Sequence, residues 1–259
     1  MTRRSVIRVS SAAALLLLSA AGSACLVQPA HNKPRTALFI GVDASGSFEQ
    51  SGHYDNAMAF LAHYIYGRLN ELDGLSRPRE LFVGSVGGRS ANEPKSFHPI
   101  HDFEDKQIPE IQAALEEWFP PTDTLTDFNA YFQQVGRIAQ ERNLTLAPIT
   151  VLIVTDGVPD VASHVKQTDP VARYAQIDLG PMEYLSKNLT LRLAYVNPQV
   201  GQYWRKEVPR QRVRLWTVDA DVMKGWLQQL DPQAEPAAQH RLWKWVQDNV
   251  DYRVRSRMT

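Results

Sequence analysis

Two acids stand where apolar runs end, and oxygen-bearing side chains crowd around one of them. The run Ala37–Val42 leads directly into Asp43, and Ile149–Val154 leads through Thr155 into Asp156, followed by Gly157. After Asp43 the chain reads Ala44-Ser45-Gly46-Ser47, a carboxylate and two hydroxyls at alternate positions, with Gly46 expected to let the backbone curl. Alternation allows Asp43, Ser45 and Ser47 to point at one centre. The chemistry that suits such a set is capture of a hard cation, because Mg²⁺ takes near-octahedral oxygen ligands at about 2.0 to 2.1 Å and keeps several waters. Soft metals ask for Cys or His instead. A buried Asp43 without a cation or donor carries a large desolvation cost, which Mg²⁺ or Mn²⁺ removes.

The elements that must position these groups alternate along the chain. Ala37–Val42 and Ile149–Val154 are continuous apolar runs of the kind that parallel strands show when covered on both faces. Met58, Leu61, Ala62, Ile65 and Leu69 predict a helix over residues 54–70, after which Gly74 and Pro78 break the chain before a strand over 81–86 ending at Gly87-Gly88. A short edge strand is expected around Ser96-Phe97-His98, then helices carried by Ile108, Ile111, Ala114, Leu115 and Trp118 and by Phe128, Phe132, Val135 and Ala139. Strands over 189–196 and 213–218 and a Trp-containing helix over 237–251 complete the series. The alternation implies a doubly wound α/β fold, a mostly parallel central sheet with helices on both faces, whose ligands bind beyond the carboxyl ends of the strands. Asp43 and Asp156 should therefore project into one crevice.

Here the sequence resembles the von Willebrand factor A family, whose metal-ion-dependent adhesion site joins an Asp-x-Ser-x-Ser loop, a distant threonine that opens a helix, and an Asp that ends a later strand. Asp43, Ser45 and Ser47 match the loop, Thr126 before Asp127-Phe128-Asn129-Ala130 matches the threonine, and Asp156 matches the last acid. Leu125 stands where a glycine often precedes that threonine, and Thr124 competes with Thr126 for the role. The resemblance covers roughly residues 36–230, with a C-terminal helical extension over 231–259. It implies a Rossmann-like fold and a bound Mg²⁺ or Mn²⁺. It also implies a protein partner whose Asp or Glu completes the coordination sphere, in a chain that is not an enzyme.

Each residue also has a plain structural reading. Ser45 and Ser47 could satisfy loop backbone, Thr126 could be a helix N-cap, and Asp156 could form a turn with Gly157. A metal-dependent phosphohydrolase of the haloacid dehalogenase type also places an Asp after its first strand, but Ser45 stands where that family needs a second acid. A metal-free structural lipoprotein is the third alternative. His98, His101 and Asp102 match no zinc spacing, and Val86-Gly87-Gly88-Arg89-Ser90 reads as a tight turn rather than a phosphate loop. Trp204, Trp216, Trp226, Trp243 and Trp245 read as packing area, and Leu242, Trp245, Val246 and Val250 as the core stripe of the last helix.

With 28 basic and 28 acidic side chains in 259 residues, the chain has no net field to steer it to nucleic acid. Its N-terminus reads as a targeting segment over 1–24, with Arg3, Arg4 and Arg8 before an apolar stretch centred on Leu15-Leu16-Leu17-Leu18, too short for a comfortable membrane span. The lone Cys25 follows Gly22-Ser23-Ala24 and resembles the lipidation site of a bacterial lipoprotein, with Gly22 where Leu is usual. A plain secretory signal cut after Ala24 and an uncleaved anchor are the alternatives, and residues 2–8 also look like a twin-arginine signal. Residues 25–35, with Pro29 and Pro34, read as a tether to a membrane facing the periplasm or the cell exterior. On that view the sequons at Asn143 and Asn188 are incidental.

Overall fold

The computed structural model describes residues 35–160, 169–185 and 189–252. Cys25, the targeting segment, nearly all of the tether, Asn188 and the last residues of the C-terminal extension lie outside the described residues.

Eight strands and nine α-helices are described. In chain order they are β1 (Ala37–Val42), α1 (Gly46–Gln50), α2 (Tyr54–Leu69), β2 (Glu80–Ser85), β3 (Gly87–Gly88), β4 (Phe97–Pro99), α3 (Ile108–Trp118), β5 (Leu125–Thr126) and α4 (Phe128–Glu141). There follow β6 (Ile149–Val154), α5 (Pro170–Ala175), α6 (Gly180–Glu183), β7 (Thr190–Val196), α7 (Pro198–Glu207), β8 (Arg214–Asp219), α8 (Ala220–Lys224) and α9 (His240–Asn249). Six strands form one sheet in the order β4-β2-β1-β6-β7-β8, parallel throughout except for the antiparallel edge strand β4. This is the doubly wound α/β architecture expected from the alternation.

The central strands are apolar almost without interruption because each buries both faces. In β1, Leu38, Ile40 and Val42 enter one core, while Ala37 and Phe39 enter the other. In β6, Leu152 and Val154 face the first core, and Val151 and Ile153 the second. The first core is roofed by α2, α3 and α9, and the second by α4, α6 and α7. At roughly 25 cal/mol per Å² of apolar area buried, these two layers dominate the folding free energy. Leu242, Val246 and Val250 of the predicted stripe sit in the first core, as does the fully buried Trp243, whereas Trp245 is only half-buried. Trp243 donates its indole N–H to the Pro236 carbonyl at 2.7 Å, so a polar partner lets this ring turn inward.

Three local expectations change. Gly87-Gly88 does not end a strand in a tight turn: it forms β3, which pairs antiparallel with β5 as Gly87 opposite Thr126 and Gly88 opposite Leu125. Gly46 does not curl a loop but opens α1, behind Ser45 as N-cap, and its φ is not positive. Thr126 is not the residue that starts a helix, because it lies in β5 and Asp127 caps α4 by accepting the Ala130 N–H at 3.0 Å. Such a cap contributes about 1 kcal/mol.

Candidate metal centre

Strand order reverses between β1 and β6. β2 and β4 lie to one side of β1, while β6, β7 and β8 lie to the other. The carboxyl ends of β1 and β6 therefore bound the crevice where open α/β sheets take ligands. Asp43 leaves β1 with its N–H still on the ladder, bonded to the Val154 carbonyl at 3.0 Å, and Asp156 leaves β6 one residue beyond Thr155.

Asp43 is fully buried. One of its oxygens, Oδ1, accepts the Ser45 N–H at 3.1 Å and the Thr126 hydroxyl at 3.4 Å. The other, Oδ2, accepts the Thr155 hydroxyl at 2.6 Å. The Ser45 and Ser47 hydroxyls lie 3.1 Å apart, and Ser47 in turn stabilises ionised Asp156 through a hydrogen bond. Asp43, Ser45, Ser47, Thr126 and Asp156, far apart in sequence, thus form one connected cluster. Two of the plain readings hold as well: Ser45 Oγ accepts the Phe48 N–H at 3.4 Å, and Asp156 Oδ1 accepts the Val158 N–H at 2.9 Å around Gly157, whose φ is +78°. A residue with a side chain at 157 would be strained and would also meet Val196. Thr124 turns away and bonds the Gly88 and Arg89 carbonyls, so it does not compete with Thr126.

Electrostatics make the cluster expensive without a cation. Burial, then the nearby Asp156 carboxylate, raises the Asp43 pKa from 3.8 to about 6, against the hydrogen bonds from Thr155 and Ser45. Burial also raises Asp156, with Asp160 adding to the effect and His53 opposing it. No lysine or arginine is among the main influences on either acid. Two neighbouring carboxylates among hydroxyls, with no lysine or arginine among their main influences, fit a hard divalent cation. Among the described residues no three His, Cys, Asp or Glu side chains gather as a metal cluster, so the hydroxyls are indispensable to any such site.

Solved structures resemble this chain. Proximal thread matrix protein 1 from the mussel byssus is 11% identical with a TM-score of 0.44, over 76% of this chain and 47% of that one. The VWA domain of SpRpn10 is 10% identical with a TM-score of 0.44, over 83% and 95%. The pilus adhesin SpaC from Lactobacillus rhamnosus GG, in its open conformation, is 12% identical with a TM-score of 0.46, over 76% and 29%. The chain therefore spans about half of the mussel protein and less than a third of the adhesin, and at these values the likeness carries no inference about ligands. No family model and no curated protein matches the chain.

A second layer, which the sequence pattern does not single out, holds the cluster in place. Asp123 pairs by backbone with the loop over residues 43–47, its N–H to the Ala44 carbonyl at 3.0 Å and its carbonyl to the Gly46 N–H at 3.3 Å. Its carboxylate accepts the Ser85 hydroxyl at 2.9 Å and presses so closely on Gly87 that a Cβ there would fall 2.3 Å from Oδ2. Lys95, only 7% exposed, donates to the Gly87 carbonyl at 2.5 Å beneath the β3–β5 ladder that carries Thr126. Asp160 accepts the Thr126 N–H at 2.6 Å and returns its own N–H to the Thr126 carbonyl at 3.1 Å. On the far side Tyr195, at φ +73°, sets its ring against Phe48 and His53 and donates its hydroxyl to Asn56 at 2.6 Å. His98 and Trp118 are stacked 3.8 Å apart, which accounts for a histidine that no site uses.

Proposed function

We propose that the chain binds one divalent cation, Mg²⁺ or Mn²⁺, at Asp43, Ser45, Ser47, Thr126 and Asp156, and uses it to grip a carboxylate on a partner protein. Asp43 and Asp156 supply charge, directly or through water, and the three hydroxyls supply neutral oxygens. The two carboxylates balance the charge of the cation, and a coordination position left open or filled by water is what an Asp or Glu from outside takes. The observation that carries this reading is the pair of carboxylates at the strand-order reversal, Asp43 buried and Asp156 half-buried, linked through hydroxyls and with no lysine or arginine among their main influences. The resemblance to von Willebrand factor A domains points the same way.

The chain acts in this reading by binding rather than by catalysis, outside the cytoplasm, tethered to a membrane through a lipid on Cys25. Among the described residues no helix is long and apolar enough to cross a membrane. The test is binding to extracts of the source cell surface with and without Mg²⁺, followed by mass identification of what elutes with chelator. Asp43→Ala or Ser45→Ala should abolish the Mg²⁺-dependent fraction while the circular dichroism spectrum is kept. Capture that ignores both Mg²⁺ and these substitutions contradicts the proposal, and turnover of a generic phosphomonoester would favour the hydrolase instead.

A further inference from the structure

The opposite end of the sheet carries a second polar concavity, independent of the metal reading. Where β6, β7 and β8 begin, the face that elsewhere supplies Leu152, Ala194 and Val218 to the first core changes character. Thr150 pairs with Thr190, Thr190 with Arg214, and Arg192 with Trp216, so hydroxyls, guanidiniums and one indole lie on adjacent strands of one face. A parallel strand covered on both sides is normally apolar throughout. Here the change coincides with a cavity of about 750 Å³ lined by these five residues and walled by the ends of α2 and α9. That volume lies within the range of small-ligand sites, about 300 to 1,000 Å³.

The acids lining this cavity are already engaged. Asp251 is engaged by Arg68 at 2.6 Å and by the Tyr64 hydroxyl at 2.9 Å, and Asp248 by Lys244 at 2.8 Å. Arg192, 6% exposed, is held in place by donating to the Tyr252 carbonyl at 2.9 Å. Arg214 is exposed on β8 beside Thr190, and no side-chain hydrogen bond or ion pair engages it among the described residues. The acids are thus committed, while the Arg214 guanidinium and the Thr150 and Thr190 hydroxyls line the cavity from three adjacent strands. A carboxylate offers two oxygens to such an array, whereas a phosphate group offers at least three acceptors and suits the planar fork of arginine. Trp216 and Tyr252, edge to face at 6.2 Å, give an apolar flank for whatever the phosphate is attached to.

We infer that this cleft binds a phosphate group, contributed either by a soluble phosphate or by a phospholipid headgroup. The test is calorimetric titration of the full chain with inorganic phosphate and, separately, with dihexanoyl phosphatidylglycerol at monomer concentrations. Phosphatidylcholine of the same chain length is the control. Saturable binding, weakened about tenfold or more by Arg214→Glu, is expected from loss of one charge-assisted hydrogen bond. Thr190→Val, which keeps size and charge, should weaken binding less but measurably. Binding of phosphate assigns the site to the free group, and binding of phosphatidylglycerol alone assigns it to a lipid headgroup. Absence of binding by both probes, or binding that survives both substitutions, overturns the inference.

Discussion

The Thr155 hydroxyl donates to Asp43 Oδ2 at 2.6 Å and at the same time accepts the Gly157 N–H at 2.8 Å. One side chain at the end of β6 thereby aims the carboxylate that ends β1 and shapes the turn that presents Asp156. Thr155→Val keeps the shape and removes both bonds. It should destabilise the metal-free protein by about 1 to 3 kcal/mol, since a buried carboxylate oxygen loses its donor, and weaken Mg²⁺ binding about tenfold. Urea unfolding and calorimetry measure the two effects.

The metal-free protein should lose stability as pH rises through the Asp43 titration. The folded-state pKa of this acid stands above its ordinary value, about 6 against 3.8, so the folded protein holds a proton that the unfolded chain has given up. The group costs nothing below about pH 4, and its cost grows with pH and is complete above about 6, at about 3 kcal/mol for a shift of that size. Unfolding curves between about pH 4 and 7.5 check this against Asp43→Asn, which should flatten that component. Mg²⁺ at the upper end of that range should restore the lost stability in the wild type alone.

Lys95 props the β3–β5 ladder from below, and burial lowers its pKa despite the acids around it, Asp127, Glu93 and Asp123. Lys95→Met should leave the Gly87 carbonyl with only the longer bond from the Ser85 hydroxyl at 3.4 Å and loosen Thr126. The expected cost is about 1 to 3 kcal/mol of stability. Amide exchange at Thr126 and Gly46 should quicken in the variant, and unchanged exchange would mean that the lysine is only packed there. Gly87→Ala should be worse, because its Cβ falls 2.3 Å from the Asp123 carboxylate and the ladder has to move.

In the proposed reading, membrane attachment rests on a lipid carried by Cys25. Intact mass of the mature protein should show a diacylglyceryl group, and Cys25→Ser should move the chain from the membrane fraction to the soluble one. Equal fractionation of the two would count against the lipid anchor.

How far the sequence reveals this arrangement depends on the length of each signal. β1 and β6 are legible because a six-residue run this apolar fits a strand covered on both faces and little else, and Asp43 and Asp156 follow from the rule about strand ends. Thr126 is reached only through the family resemblance, since β5 is two residues long and a two-residue strand has no periodicity. For the same reason Gly87-Gly88 reads as a turn. Lys95 escapes notice because a lysine in a polar stretch such as Asn92-Glu93-Pro94-Lys95 is ordinarily solvated, and its burial depends on a carbonyl eight residues away. Asp123 looks like a loop acid after Pro120-Pro121, and only the tertiary fold brings it against Ser85 and the loop over residues 43–47.

The most direct test is titration of Mg²⁺ and Mn²⁺ into the purified protein, following heat and melting temperature together, with Asp43→Ala as control. Saturable binding with a raised melting temperature, both absent from the control, is the predicted result. Heat and melting temperature that stay flat in the wild type, or that respond equally in Asp43→Ala, would contradict a metal centre at these residues.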